Sequence, residues 1–314
     1  MSKNTKKKRM TWRVLYNIVL IAFTAFVLLK TFLIADVQVS SVSSAGVYAS
    51  SNSSTAASSD SGSAVTEVSD AVITENSYQD SNISITVTEE RVDNTTVYVA
   101  DVQVSSVEYL KTAFANNAYG RNLKDTTSDM ASSNNAILAI NGDYYGFRDY
   151  GYVLRNGVLY RSNYSSADDD AFVIYSDGSC ETITESQTDA NTLLSEGALQ
   201  VLSFGPGLVE NGTISVTQNE EVDRAKTSNP RTAIGMISPL HYVFVVSDGR
   251  TSESEGLTLY QLATFMSDYG CTEAYNLDGG GSSTIYFNGQ VINNPTDGTK
   301  SGEREVSDIV YIGY

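Results

Sequence analysis

EAYNLDGGGSSTIYFNGQVIN, residues 273–293, is the stretch whose reading decides the fold. EAYNLD has the composition of a strand, three glycines turn the chain, and TIYFNGQVIN reads as a hairpin around Asn288-Gly289. A nucleotide-binding glycine loop follows a strand and opens a helix. Here a second strand follows the loop, which excludes that class. The loop gathers the Asp278 carboxylate, the hydroxyls of Ser282, Ser283 and Thr284, and the amides of Gly279, Gly280 and Gly281. Glycine admits close backbone approach, so an anion cradle is one reading. A glycine-rich turn in which Asp278 caps its own backbone is the other.

Working upstream, residues 259–269 are the clearest helix. Thr258 and Gln261 have capping-box spacing, Leu259, Leu262, Phe265 and Met266 make an apolar face, and Gly270 ends it. Strand patterns dominate elsewhere. ISITVTEER (83–91) and TTVYVADVQVSS (95–106) pair across Asp93-Asn94. Hairpin turns fall at Asn156-Gly157, Asp177-Gly178 and Asn211-Gly212, and TAIGMIS and HYVFVVSDGR flank Pro239. AILAIN, 136–141, is an unbroken apolar run suited to a strand covered on both faces, and it empties into the polar and aromatic loop Gly142–Gly146. The spacing of Val107, Leu110 and Phe114 after Ser106 predicts a helix over VEYLKTAFAN, and a short one is expected at 127–133. The sum is an α+β domain with a largely antiparallel sheet and few helices.

The net charge of −17 conceals an asymmetry, because residues 1–30 hold seven Lys/Arg and no acid. The acidic remainder repels phosphate polymers, so nucleic acid is not an expected partner. Residues 1–13 read as a basic cytoplasmic tip. Residues 14–35, VLYNIVLIAFTAFVLLKTFLIA, approach the roughly 20 apolar residues of a membrane span. They are expected as an uncleaved transmembrane signal-anchor, with a cleaved signal peptide as the alternative. That places the protein in the cell membrane as a single-pass chain, its N-terminus cytoplasmic and the domain from residue 82 extracytoplasmic. Residues 36–81, rich in Ser, read as a flexible linker.

Cys180 and Cys271 are consistent with a pair or with two buried thiols, and the lone His241 reads as packing. Arg231, in NPRTAIG, has a planar fork suited to phosphate or carboxylate, or is a surface charge. Asp143 and Asp248 lie in turns where a short acid can bond its own backbone.

NGDYYG (141–146), NPRTAIG (229–235), SDGR (247–250), residues 256–293 and GEREVSDIVYIGY (302–314) together resemble the phosphodiester glycosidase family. The resemblance covers roughly residues 130–314. It implies hydrolysis of sugar-1-phosphodiesters at the anomeric C–O bond. Such chemistry needs carboxyl groups beside C1, here Asp278 and Asp143 with Glu303 and Asp248 behind them. It also needs donors for the leaving phosphate, here Arg231, Arg304 and the amides of Gly279, Gly280 and Gly281. Asn141, Ser282, Ser283 and Thr284 would orient hydroxyls or phosphate oxygens. No cofactor is expected, although the same acids leave a divalent cation open. The anchor suggests a cell-envelope polysaccharide as substrate. Two other readings use the same residues: a metal-dependent phosphodiesterase cleaving P–O, and a non-catalytic wall-polymer binding module.

Overall fold

The computed structural model describes residues 3–32, 36–37, 43–44, 71–218, 228–298 and 300–314. Its elements are α1 (Lys3–Phe32), β1 (Val72–Ile73), β2 (Ser77–Gln79), β3 (Ile83–Val92), β4 (Thr95–Val104), β5 (Leu110–Phe114), α2 (Thr127–Ser133), β6 (Leu138–Asn141), β7 (Val153–Arg155), β8 (Val158–Arg161), β9 (Asp170–Tyr175) and β10 (Cys180–Thr184). There follow α3 (Ala190–Ser195), β11 (Ala198–Leu202), β12 (Gly207–Glu210), β13 (Thr213–Ile214), β14 (Arg231–Ser238), β15 (His241–Ser247), α4 (Leu259–Asp268), β16 (Glu273–Asn276), β17 (Ile285–Phe287), β18 (Gln290–Val291) and β19 (Asp308–Ile312).

Turn chemistry sets the hairpins. Asp93 and Asn94 both take positive φ, as do Asn156 with Gly157 and Asn288 with Gly289, which matches the twist of two-residue hairpins. The strands assemble into three larger sheets among the described residues. The first runs β13-β12-β16-β14-β15-β4-β3-β2-β1, the second β18-β17-β6-β19-β5, and the third begins β10-β9-β11-β7-β8. Strand pairing from residue 72 onward is antiparallel throughout. Ile85, Phe244 and Tyr275 of the first sheet, Ile140, Ile285 and Val310 of the second, and Phe172 and Leu202 of the third share one central core.

Each sheet then covers its other face with a helix. Leu259, Leu262 and Met266 of α4 lie on Val97, Val243 and Ala274. Met130 and Ala131 of α2 lie on Ala139 and Ile309, and Leu193 and Leu194 of α3 on Val173 and Val201. Burial on both faces explains why β6 reads as an unbroken apolar run. The α4 capping box forms as read: Thr258 Oγ1 accepts from Gln261 N at 3.1 Å and Gln261 Oε1 from Thr258 N at 2.9 Å. Thr258→Ala is expected to cost about 1 kcal/mol, seen as a lower urea midpoint at unchanged slope.

Three expectations need correcting. The predicted helix over residues 107–116 is instead a 3-10 turn, Val107–Tyr109, capped by Ser106, then β5, then a second 3-10 turn at Ala115–Asn117. Leu110 to Phe114 pair with Ile312 to Asp308, a long-range partner that outweighs a local apolar spacing. Second, α1 forms, but among the described residues no helix is long and apolar enough to cross a membrane. Asn17, Thr24 and Lys30 dilute its apolar run. The transmembrane anchor at 14–35, the membrane as partner and the single-pass cell-membrane location are therefore not supported. An envelope polysaccharide substrate loses the observation that motivated it. Third, among the described residues no group of three or more His, Cys, Asp or Glu is placed to hold a metal ion, so the metal-dependent phosphodiesterase has no ligand set there. Most of the expected linker lies outside the described residues, and β1 and β2 extend the first sheet upstream of residue 82. Cys180 and Cys271 are free and buried, and His241 Nε2 lies 3.0 Å from Asp101 Oδ1.

Candidate active site

β16 ends at Asn276 and delivers Asp278 to the glycine loop, which closes as a 3-10 turn over Gly280–Ser282 before β17 begins. The loop is clamped rather than free. Asn141, at the end of β6, donates from Nδ2 to the Asp278 carbonyl at 2.6 Å. Its Oδ1 accepts from Thr284 N at 3.2 Å and from Thr232 Oγ1 at 2.8 Å. Asp278 N donates to Gly142 O at 3.3 Å, which ties the two loops expected to meet.

The glycines have a reason beyond the cradle. Gly280 N donates to Pro230 O at 2.8 Å, so that amide is already engaged. A Cβ on Gly280, which has φ +63°, would lie 2.7 Å from Arg250 Nη2, and one on Gly281 would lie 2.5 Å from Arg304 Nη2. Bare backbone here lets two guanidinium groups lie against the loop. A Cβ on Gly279 would lie 2.9 Å from Pro230 O and 3.7 Å from Arg231 Cα, so Arg231 braces the loop from behind. Arg231 is buried, its N–H donating to Ser247 Oγ at 3.0 Å and its Nε to Leu257 O at 2.8 Å.

The loop opens into a cleft of about 320 Å³, lined by Asp278, Ser282 and Arg304 among the expected residues. Ser282 Oγ donates to Asp278 Oδ2 at 2.7 Å. Asp278 is partly open to the cleft, yet burial of its surroundings pushes its pKa up to about 6, against the pull of Ser282, Arg304 and Arg148. Arg304 is half-exposed and pairs with Asp297 through Nε at 3.1 Å and through Nη2.

The other expected residues stand behind the cleft. Asp143 is buried in an ion pair: Oδ2 accepts from Arg155 Nη2 and from Ser203 N, both at 2.8 Å, and Oδ1 from Tyr145 N at 3.0 Å. Its charge still reaches Asp278 and adds to the upward shift. Arg155 also pairs with Asp308 of β19, Nη2 to Oδ2 at 2.9 Å. Asp248 accepts from Asn294 N at 2.9 Å and from Asn293 Nδ2 at 3.3 Å, anchoring the chain after β18. Glu303 accepts from Ser128 N at 3.0 Å and from Ser128 Oγ, which binds it to the first turn of α2. Ser283 Oγ and Thr284 Oγ1 are buried, with no hydrogen-bond partner among the described residues.

Several lining residues were missed by the sequence reading. Tyr144 and Phe147 stack at 4.7 Å as one wall. Lys124 and Glu305 pair at 2.5 Å and, with Asn122 and Ser307, complete the cleft. Tyr144 and Glu305 lie inside NGDYYG and GEREV, where position in the motif was the available signal. Lys124 carried none.

A loop bearing a carboxylate, joined to NGDYYG and to GEREV around one cleft, can hold an anionic sugar derivative. The sequence profile of the phosphodiester glycosidases matches residues 134–313. The chain belongs to the phosphodiester glycosidase family. The SPbeta prophage-derived uncharacterized protein YomE of Bacillus subtilis (strain 168) is 33% identical over 204 residues, covering 62% of this chain and 31% of its own. The N-acetylglucosamine-1-phosphodiester alpha-N-acetylglucosaminidase of Bos taurus is 28% identical over 207 residues, covering 60% of this chain and 38% of its own. The chain thus spans well under half the length of these curated relatives. The catalytic domain of the zebrafish N-acetylglucosamine-1-phosphodiester alpha-N-acetylglucosaminidase superposes with a TM-score of 0.58 at 21% identity, over 74% of this chain and 83% of that one, and shares the fold.

Proposed function

We propose that the chain is a hydrolase that cleaves glycosyl phosphodiesters at the anomeric C–O bond, releasing the sugar and a phosphomonoester. The observation that carries this reading is the grouping of Asp278, Ser282 and Arg304 in one cleft of the size of small-molecule sites. The transition state has oxocarbenium character and needs negative charge beside C1, the role assigned to the Asp278 carboxylate. A phosphate leaving group is a weak base, so neutralising its growing charge matters more than protonating it. Arg304 is assigned that role, with Lys124 on the same cleft. Ser282 holds the Asp278 carboxylate in position, and the Tyr144–Phe147 wall offers aromatic faces to a sugar ring. Glu305 is the other carboxyl of the cleft lining and is the partner available for proton transfer. Asp143 acts through its charge and through Gly142, its neighbour in the chain, and Glu303 by positioning the Arg304 segment.

The test is incubation of the full chain with methyl phosphodiesters of several 1-phosphosugars, beginning with N-acetylglucosamine, the sugar named in the bovine and zebrafish relatives. Free sugar and methyl phosphate are expected, and Arg304→Met is expected to lower kcat/KM by about 10²-fold. Binding without turnover, at an affinity unchanged in Asp278→Asn, would instead establish a binding module.

A further inference from the structure

Beside the cleft lies a second pocket of about 40 Å³ that the proposed reaction leaves unused, lined in part by Arg148, Tyr150, Glu185, Ser203 and Phe204. Glu185 is only 1% exposed. Its Oε1 accepts from Tyr152 N at 2.6 Å and from Ser203 Oγ, whereas its Oε2 is buried with no hydrogen-bond partner among the described residues. A bare buried carboxyl oxygen costs the desolvation that a partner would offset. Burial accordingly pushes the Glu185 pKa up to about 7. The pocket has room for a polar group the size of one or two waters.

Arg161 is the cation whose charge reaches Glu185, with Asp169 opposing it, and Arg148 is a second cation on the pocket lining. Its guanidinium rests over the rings of Phe204, Tyr150 and Tyr144 at 4.8, 5.6 and 5.7 Å, and among the described residues no carboxylate forms an ion pair with it. Arg148 lines the small pocket, and its guanidinium also faces the ring of Tyr144, which lines the cleft. A cation held on aromatic faces next to a buried carboxyl matches a zwitterion of phosphate and amine.

We propose that this pocket is a second subsite, which takes the primary ammonium of an aminoalkyl group esterified to the phosphate, with Glu185 as its counterion and Arg148 against the phosphate. It rests on the glycosidase reading for the sugar side alone. The substrate class becomes a glycosyl phosphodiester whose second alcohol carries an amine a few atoms from phosphorus.

The experiment is calorimetric titration of the full chain with 2-aminoethyl phosphate and with ethyl phosphate, in wild type, Glu185→Gln and Arg148→Met. Wild type is expected to bind the amine about tenfold more tightly, the scale of one charge-assisted hydrogen bond. Glu185→Gln keeps an acceptor for Tyr152 N and Ser203 Oγ and is expected to bring the ratio to about one. Arg148→Met is expected to weaken both probes. The acidic surface attracts amines anywhere, so a preference that survives Glu185→Gln overturns the subsite, as does equal binding by wild type. If Glu185→Gln does not fold, a crystal of the wild type with 2-aminoethyl phosphate decides. The nitrogen within about 3.2 Å of Glu185 Oε2 supports the subsite, and any other position overturns it. Binding is read without hydrolysis, so a chain that shows the preference but turns over no glycosyl phosphodiester refutes the activity and not the pocket.

Discussion

Asp278→Asn is expected to abolish turnover of glycosyl phosphodiesters, by on the order of 10³-fold or more, while making the protein more stable at alkaline pH. Both effects follow from one carboxyl placed where ionisation is unfavourable. Its folded pKa is raised to about 6 by burial, and the unfolded chain titrates near 3.9. Between those values the folded state keeps a proton that the unfolded chain has released, so stability falls as pH rises through this window. Above pH 6 the whole cost of the buried charge is present. Below about 4 both states are protonated and the contribution vanishes. Allowing for its solvent contact, the cost is about 1–2 kcal/mol. Asp278→Asn should therefore melt higher than wild type at pH 8 and equally at pH 4. In the wild type, kcat/KM should rise with pH through about 6 as the carboxylate forms. A variant that melts lower at pH 8 would show that Asp278 is a structural acid.

Arg155→Met is expected to be the most destabilising single change near the cleft. Arg155 is 2% exposed and holds Asp143 and Asp308, both buried, across β7, the residue 143 loop and β19. Burial and the neighbouring Asp143 charge already push Asp308 well above the usual carboxylate range. Removing the cation leaves two carboxyls facing each other without a counterion, a loss of about 3–5 kcal/mol. That corresponds to a fall in melting temperature of roughly 10 °C for a domain of this size. The deficit should shrink from pH 8 towards pH 5, because the buried Asp308 carboxyl, already raised, binds a proton still more readily in the folded state once its counterion is gone. Adding Asp308→Asn should restore part of the loss, and the double-mutant cycle measures the coupling. A change under about 1 kcal/mol would mean the triad is dispensable.

Much of this was legible locally. Asn-Gly and Asp-Asn turns placed the hairpins because positive φ at both central residues is a property of those side chains. AILAIN revealed a strand covered on both faces, and Thr258 with Gln261 revealed the start of α4. The glycine loop was found, but half its reason was hidden. Arg250 and Arg304 approach it from residues far along the chain, and only packing shows that a Cβ would collide with them. Arg155 sits beside the Asn156-Gly157 turn in VLRNG, and nothing adjacent to it in sequence announces Asp308. Asp143 was expected beside the sugar carbon, yet its oxygens are occupied by Arg155, Ser203 and Tyr145. The misread helix at 107–116 and the expected span at 14–35 share a cause. The first was judged from local apolar spacing and the second from apolar content along a window, whereas the partner strand β19 and the polar residues within α1 decided the outcome.

The reaction itself is tested most directly by hydrolysing a methyl phosphodiester of a 1-phosphosugar in oxygen-18 water and locating the label by mass spectrometry. Attack at C1 beside Asp278 puts the label in the sugar hydroxyl and leaves methyl phosphate unlabelled. Label in the phosphate would mean that the P–O bond breaks, and the assignment of Asp278 to the anomeric carbon would be wrong.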